Sequence, residues 1–491
     1  MSTRSPMPRM RLLCAASTLL GMAACSLGPN GTAPSMPSPA HYGVAAQPEQ
    51  TVAAQGVSQR FIAGAQPVPQ WWKLYQSDAL DALVDEGLRN SPTLAAADRS
   101  LAAAHEQLRA QIGSSLLPTI DAGAQVSRQR ALAIPEVGPN TFQYNVFVGQ
   151  LQAQYTFDLF GAVRYANAAL AQRVDLQAYQ FEAARRALAA NIVSAALSAA
   201  TLDAQVATTE RLVTLANQQA ADTQRRYALG AVPHADLLSA QQSAASLAAG
   251  LPALRQQALT TRHALAVLLG RTPDQAPPAL DLAQLHLPDE VPVVVPSALL
   301  QTRPDIQAAD AALKAAAADV GVATAQLFPS ITLNASMGQG GFSWPAALSG
   351  AGALWSIAGS LSQPIFHGGA LLAQRRAALA TYEASASQYK QTVLSAFQNV
   401  ADTLAALEHD AQSLDAANAA ARAAQSSFDE ATARQRLGAL PPTAVRTSEQ
   451  QWRNARLDEI RYTGARLADT AALFQAMGNP LRDETHLRAG Q

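Results

Sequence analysis

The stretch NVFVGQLQAQYTFDLF, residues 145–160, alternates apolar and polar side chains over most of its length. A period of two residues indicates a β-strand, because successive side chains point to opposite faces of a sheet. One face suits lipid, and the other suits water without needing a packed core. The two predicted faces are Phe147, Leu151, Ala153, Tyr155, Phe157 and Leu159, against Gln150, Gln152, Gln154, Thr156 and Asp158.

Three more segments show the same alternation over about ten residues, the length of a transmembrane β-strand. A soluble sheet with one wet face also alternates in this way. The polar positions here are mostly glutamine, serine, threonine and asparagine rather than charged residues, and the chain begins with an export signal, so we favour a membrane. The apolar and polar sets are Ile120, Ala122, Ala124, Val126 against Asp121, Gln125, Ser127; Ile331, Leu333, Ala335, Met337 against Thr332, Asn334, Ser336; and Trp355, Ile357, Leu361, Ile365 against Ser356, Ser360, Ser362.

Four strands do not close a membrane barrel on their own, since about eight is the smallest number found. An open sheet edge would leave backbone groups unpaired in hydrocarbon, at a cost of several kcal/mol each. The barrel is therefore predicted to be shared between chains. Two chains would supply eight strands and three would supply twelve.

A long segment without glycine or proline follows each pair of strands, at residues 162–229 and 370–437. An uninterrupted helix of this length spans ~100 Å at 1.5 Å per residue. Apolar residues recur at spacings of three and four with alanines between them, a pattern typical of coiled-coil helix hairpins packed side by side. A non-transporting coiled-coil envelope scaffold or adhesive lipoprotein is the alternative, but it leaves the four strands unexplained.

Both long helices run into the same turn, read as RYALGAVPHADLLSAQQ from Arg226 and as RQRLGALPPTAVRTSEQQ from Arg434. The two glycines, Gly230 and Gly438, lie 208 positions apart. Glycine supplies the left-handed conformation that ends a helix, and the proline three residues later opens the next one. Each long helix is therefore predicted to reverse direction here into a return helix.

The repeat covers nearly the whole mature chain, since the segment SPTLAAADRSLAAAHEQLRAQIGSSLLPTIDAGAQ matches RPDIQAADAALKAAAADVGVATAQLFPSITLNASM. Each half is predicted to contain a helix, two strands, a very long helix and a return helix. The predicted organisation is a signal peptide at 1–24, a lipid anchor and extended tether at 25–70, a first repeat at 71–275, a Pro-rich link at 276–298, a second repeat at 299–480 and a C-terminal tail at 481–491.

The N-terminus carries the features of a secretory signal, with a basic start, a short apolar run and the small residues MAA directly before Cys25. This arrangement resembles the lipobox of bacterial lipoproteins, in which the cysteine receives a covalent lipid. Cys14 lies inside the removed segment, so the mature chain holds one cysteine and no internal disulfide. The other interpretation of Cys25 is an ordinary residue beside a non-lipoprotein cleavage site.

Nothing in the sequence indicates catalysis. The eight histidines are scattered without metal-ligand spacing such as HExxH, and neither a P-loop nor Gly-x-Ser-x-Gly occurs. A net charge of −1 gives no sign of nucleic-acid binding. We therefore predict no enzyme activity, no metal and no cofactor other than the lipid on Cys25.

The sequence resembles the TolC-like outer-membrane efflux channels of Gram-negative bacteria, in particular their lipoprotein branch. The resemblance rests on CSLGPN after the lipobox, WWKLYQSDALDALVDEGL, RPDI at 303–306, LFPSI at 327–331, PIFHGG at 364–369 and the two LGA turns. It implies an α+β membrane protein in which three copies share a twelve-stranded barrel. Long coiled-coil hairpins would form a periplasmic tunnel, and a collar built from the link, the N-terminal region and the C-terminal tail would surround it.

The same resemblance implies a conduit that exports drugs or other small toxic molecules. The channel would lie in the outer membrane of the cell. Its partners would be an inner-membrane efflux pump and a periplasmic adaptor. The inter-strand loops SRQRALAIPEVGPNTFQYN (127–145) and GQGGFSWPAALSGAGA (338–353) would face outside. We expect the barrel lumen to be lined by the polar strand residues Gln150, Gln152, Gln154, Ser356 and Ser360.

Two sets of residues near the repeated turns are implied as functional by the resemblance. Gate candidates for the periplasmic end are Asp222, Arg226, Asp236, Glu430 and Arg434, although a solvated helix face with local ion pairs would look the same. Ala444 stands where the first repeat has Asp236, which weakens the case for an acidic ring there. The adaptor-docking tips are Leu229, Gly230, Ala231, Val232, Leu437, Gly438, Ala439 and Leu440.

Overall fold

The computed structural model describes residues 27–37, 39, 41–43, 48–65, 68–132 and 141–478. The predicted signal peptide, Cys25 and the C-terminal tail lie outside the described residues. The described chain forms two compact units, each drawn from both repeats. One unit holds residues 100–178 and 308–390 with the described residues before 35. The other holds the described residues of 35–99, 179–307 and 391–478.

Helices make up most of the described chain. The two longest, α3 and α8, each contain 67 residues, and the return helices α4 and α9 each contain 35. The helices are α1 (Asp78–Asn90), α2 (Pro92–Leu116), α3 (Ala162–Ala228), α4 (His234–Leu268), α5 (Pro296–Thr302), α6 (Pro304–Ala325), α7 (Trp344–Ala347), α8 (Ala370–Arg436) and α9 (Pro442–Ala476).

The duplication predicted from the sequence is confirmed by these boundaries. Both ends of α3 and both ends of α4 recur 208 residues later in α8 and α9. The single helix expected before each strand pair is in fact two helices, divided at Ser91 and at Arg303. The next residue is a proline in both repeats, and a residue before proline is pushed into extended conformation. Ser91 accordingly has φ −66° and ψ 120°.

Burial along the long helices follows a coiled-coil seam. In α8 the buried positions between residues 390 and 415 recur at spacings of three and four, namely Val393, Ala396, Val400, Leu404, Leu407, Ala411 and Leu414. An average near 3.5 residues is the heptad period. Among the described residues, α3 is the one helix apolar and long enough to span a membrane by composition, and 61 % of that window is buried in the protein. A core helix passes the same test.

The strands form one large sheet and one small one. The four-stranded sheet has the order β2-β3-β5-β6, and all its neighbours are antiparallel. β1 and β4 pair in parallel and join the N-terminal region to the Pro-rich link. The strands are β1 (Arg60–Ala63), β2 (Thr119–Leu132), β3 (Thr141–Phe157), β4 (Glu290–Val293), β5 (Ser330–Gly341) and β6 (Ala353–Ser362).

Three residues assigned to strand faces lie outside the strands. β3 ends at Phe157, so Leu159 is not part of it, and β6 ends at Ser362, before Ile365. Asp158 does not extend the polar face. Its carboxylate accepts hydrogen bonds from the backbone N–H groups of Val163 and Arg164, both at 3.0 Å. A carboxylate at a helix N-terminus satisfies unpaired N–H groups and complements the helix dipole, which explains why the alternation stops here.

Both predicted loops are partly ordered structure. β2 continues to Leu132 and β3 begins at Thr141, so the loop assigned to residues 127–145 contains the ends of two strands. β5 likewise runs on to Gly341, and α7 follows it. The strands are 14, 17, 12 and 10 residues long, rather than a uniform ten. In the additional residues of β2 and β3, apolar and polar side chains exchange faces. The alternation therefore changes phase there, and the sequence pattern did not identify these residues as strand.

A buried arginine holds the N-terminal segment against α9. The guanidinium of Arg466 is 1 % exposed and donates hydrogen bonds to Gln59 Oε1 at 3.1 Å, Thr51 Oγ1 at 3.0 Å and the carbonyl of Val57 at 3.3 Å. The carboxyl of Asp410 on α8 lies near this cation. Burial, followed by the neighbouring carboxyl of Asp469, raises the pKa of Asp410 to about 7, although Arg466 opposes the shift.

The raised pKa makes stability depend on pH. Between about pH 4 and pH 7 the unfolded chain releases the Asp410 proton while the folded chain retains it, so stability falls as pH rises through this window. We expect Asp410→Asn, which mimics the protonated acid, to flatten that decline. Urea unfolding midpoints at pH 5 and pH 7.5 measure it, with the exposed Asp415→Asn on the same helix as control. Equal pH slopes in wild type and Asp410→Asn would contradict the assignment.

Candidate functional site

The polar face of the four-stranded sheet is continuous across its strands. Register places Gln152, Ser336 and Ser356 in one row, while Thr156, Thr332 and Ser360 share another. Ser336 Oγ and Ser356 Oγ are 2.9 Å apart, which links β5 to β6 on this face. The structure thus brings together all five residues predicted to line the lumen: Gln150, Gln152, Gln154, Ser356 and Ser360.

The opposite face is apolar along the same length. Leu151, Met337 and Trp355 form one of its rows. These side chains are largely uncovered in the described chain, with exposures of 49 %, 64 % and 77 %. Apolar side chains exposed in rows across a whole sheet face are expected on the lipid side of a membrane sheet.

Each of the two repeated turns closes with the same hydrogen bonds. The N–H of Ala231 donates to the carbonyl of Arg226 at 2.8 Å, and the N–H of Gly230 to that of Tyr227 at 2.9 Å. Ala439 and Gly438 repeat both bonds, each at 2.9 Å, in the second turn. This is the Schellman motif, and its left-handed residue is glycine at φ +68° and +75°.

The tips present apolar side chains to the outside. Leu229 and Leu437 are each 84 % exposed, and Ala231 and Ala439 are also exposed. A Cβ added at Gly230 would meet nothing within 4 Å, as at Gly438, so backbone conformation rather than packing requires glycine here. The helix ends need no such leucines for capping, which leaves these side chains available for a partner.

The gate candidates differ between the repeats. Asp222 is mostly buried, and its carboxylate pairs with Arg225 of its own helix and with Arg446 on α9. Glu430, which occupies the equivalent position in α8, pairs with Arg434 at 2.5 Å, one helical turn away, with both side chains over half exposed. Arg226 and Asp236 are exposed. The structure therefore joins one of the five candidates to a distant partner.

Arg446 was not among the residues predicted to form the gate. It belongs to a series of contacts between α3 and the antiparallel α9. Arg211 donates to Glu449 at 3.1 Å, and farther along the pair a Cβ on Gly464 would lie 2.2 Å from Thr201 Oγ1. The helices are thus close along much of α9, and Asp222–Arg446 is the ion pair nearest the tip in this series.

A sequence model for outer membrane efflux proteins matches residues 83–271 and 295–479. The chain belongs to the outer membrane efflux protein family. It is therefore an efflux channel protein of the outer membrane, as the sequence predicted, and the scaffold alternative is not supported. The two matched stretches correspond to the two halves of the duplicated chain.

Individual relatives agree with the family assignment. The pyoverdine export outer membrane protein OpmQ of Pseudomonas aeruginosa is 30 % identical, with 91 % of this chain and 94 % of the relative aligned. The antibiotic efflux pump outer membrane protein ArpC of Pseudomonas putida is 30 % identical, with 96 % of each aligned. The CmeC outer membrane channel of Campylobacter jejuni has the same fold, with a TM-score of 0.80, 22 % identity and coverage of 95 % of this chain and 98 % of that one. The predicted class, a helical tunnel joined to membrane strands, is confirmed.

The position of Asp222 generates a prediction about the tip. We expect Asp222→Asn to leave Arg446 without its carboxylate partner and to loosen α9 against α3. Losing one partner of a largely buried ion pair costs about 3 kcal/mol or more, whereas an exposed pair one helical turn apart is worth a few tenths. Hydrogen exchange at the start of α9 should therefore accelerate in Asp222→Asn.

The duplication offers a matched control for this experiment. Glu430→Gln removes the carboxylate at the equivalent position of α8, where the pair is exposed and local. Exchange at the start of α9 should stay at the wild-type rate in that variant. Equal acceleration in both variants, or in neither, would show that the Asp222–Arg446 pair does not hold the tip.

Proposed function

We propose that three copies of the chain form the outer-membrane conduit of a tripartite efflux pump. The observation that carries this proposal is the open four-stranded sheet, in which β2 and β6 are both edge strands. A membrane sheet with free edges would leave backbone groups unpaired in hydrocarbon. Pairing β6 of one copy with β2 of the next removes every free edge, and three copies supply twelve strands.

The tips would dock a periplasmic adaptor, which in turn meets an inner-membrane pump. Their exposed leucines and alanines, held on rigid glycine turns, supply apolar contacts at positions where a free helix end would carry polar residues. The Asp222–Arg446 pair would hold the conduit narrow at this end until docking separates α3 from α9. The polar sheet face would carry solutes without binding them strongly, so no catalytic step is needed.

The solutes would be drugs or other small toxic molecules, since one similar relative is named for antibiotic efflux and another for pyoverdine export. Lipid attachment at Cys25 would tether the mature N-terminus to the same membrane. Mass spectrometry of the mature N-terminal peptide tests this attachment. An unmodified cysteine, or cleavage at another residue, would contradict it.

Disulfide trapping tests the shared barrel. We expect a chain with Ala122→Cys on β2 and a cysteine on β6, scanned from Ile357, to give covalent trimers on oxidation, because those edges meet between copies. The wild-type chain has only Cys14 and Cys25, which simplifies the background. The variant with Leu151→Cys and Leu333→Cys, both on inner strands, serves as control and should assemble without covalent cross-links between copies. A monodisperse monomer in detergent with no trapping at any register would refute the shared barrel.

Charge at the tips tests docking. We expect Ala231→Asp combined with Ala439→Asp to abolish efflux-dependent drug resistance, because a carboxylate is costly to bury at an apolar contact. The trimer should remain intact on gels, since both alanines are exposed. Ala245→Asp, on the exposed side of α4 and away from the turn, should leave resistance unchanged. Loss of the trimer in the double variant would show that the turns are structural instead.

A further inference from the structure

The two faces of the large sheet exchange polarity toward the hairpin that joins β2 to β3. Below Phe147, toward the helices, one face is apolar and the other polar, as described above. Beyond it, the formerly apolar face carries Arg128, Arg130, Gln143 and Asn145, since register pairs Arg128 with Asn145 and Arg130 with Gln143. The formerly polar face becomes mostly apolar over the same rows, with Phe142, Tyr144 and Val146 on β3 beside Ser127 and Gln129 on β2.

The apolar residues that appear on the polar face form a connected set, which we call the exit ring. Phe142 and Tyr144 stack with ring centroids 5.4 Å apart, and Phe342 meets Tyr144 edge-on at 5.7 Å. The Tyr144 hydroxyl donates to Gln129 Oε1 at 2.9 Å, which fixes that ring on β2. Its members beyond Phe147 are Phe142, Tyr144, Val146 and Phe342, and Val148 and Leu354 extend the set inward as far as the row of Gln150.

Glycines on β5 make room for this lining. A Cβ added to Gly340 would lie 2.8 Å from Leu354 Cδ1 and 3.2 Å from Val148 Cγ2. The branched side chains of β3 and β6 thus lean together across the strand between them. Phe142 and Leu354 are nevertheless each 49 % exposed, and Phe342 is 71 % exposed. The set is packed internally and open on its other side.

The level of the reversal can be placed relative to the membrane. Trp344 of α7 lies against Phe147, with ring centroids 4.6 Å apart, at the end of the apolar face. Aromatic residues mark the interface in membrane barrels. The arginine-bearing rows beyond Phe147 therefore lie outside the hydrocarbon, where an outward face must be polar. The apolar face at that level points toward the channel axis rather than to lipid.

We propose that the exit rings of three copies form a hydrophobic mouth at the outer end of the conduit, which contacts apolar and amphiphilic solutes. This inference rests on the proposed function, which supplies the trimer and the direction of export. Apolar solutes gain from contact with such an apolar surface. The polar lumen then carries solutes to an exit that distinguishes them.

Blockade of single-channel current tests the mouth. Trimers in planar bilayers are exposed on the outer side to tetrahexylammonium, a bulky apolar cation, and to tetramethylammonium. The wild type should be blocked by the first at low concentration and not by the second. In Phe142→Ser/Tyr144→Ser the half-blocking concentration of tetrahexylammonium should rise about ten-fold, equal to about 1.4 kcal/mol of lost contact.

Gln143→Ser/Asn145→Ser is the matched control, since these residues alternate with the exit-ring pair on the opposite face. Tetrahexylammonium should block this control and the conservative variant Phe142→Leu/Tyr144→Phe at the same concentration as the wild type. If the serine pair fails to assemble, Leu354→Ser on β6 replaces it. Equal block in all variants, or a conducting wild type that is not blocked, overturns the mouth. If the wild-type trimer passes no current, the same comparison is made in the Asp222→Asn background, which lacks the ion pair that holds the inner end narrow. A trimer that passes no current in that background either would refute the conduit itself.

Discussion

Unpaired backbone groups at the edges of the four-stranded sheet are the constraint on which the rest of this molecule depends. β2 and β6 each leave one side of the strand without a partner, and lipid offers no water to satisfy those groups. Only a closed ring of sheets removes the cost. Once the sheet closes, its polar face encloses a lumen and its apolar face meets lipid. The alternation of side chains thus acquires a function only in the assembly.

The helices answer a different constraint. Most of the stability of a helix in a protein comes from packing against its neighbours, and each 67-residue helix offers its apolar seam to neighbours along its length. Alanine-rich seams permit close approach, as at Gly464 against Thr201. The duplication gives the chain two helix hairpins of the same lengths, α3 with α4 and α8 with α9. It also fixes the boundaries of both, because the same glycine and proline end and restart the helices in each copy.

Local signals in the sequence were sufficient for the helix ends and for most of the strand faces. Gly230 and Gly438 ended the long helices within two residues of the prediction, since a left-handed turn has few alternatives. The Asp222–Arg446 pair could not be predicted. It joins the first repeat to the second, and residue spacing carries no information about contacts between distant helices. Asp158 fitted the alternation numerically, but its side chain had a closer partner in the first turn of α3. The reversal beyond Phe147 looked like a loop because a pattern that changes phase no longer shows one period.

The two ends of the proposed conduit rely on different physical interactions. The tip is held by charge, through a largely buried pair and more exposed neighbours. The mouth is lined by aromatic and branched side chains without an ion pair among the described members of the exit ring. Salt screens exposed charges but leaves contact between apolar surfaces intact or stronger. A change in ionic strength would therefore weaken the exposed Glu430–Arg434 pair at the inner end more than the largely buried Asp222–Arg446 pair, and it would leave the outer end nearly unaffected. Such a division suits a channel that opens when an adaptor separates charged helices, while its exit distinguishes solutes without any moving part.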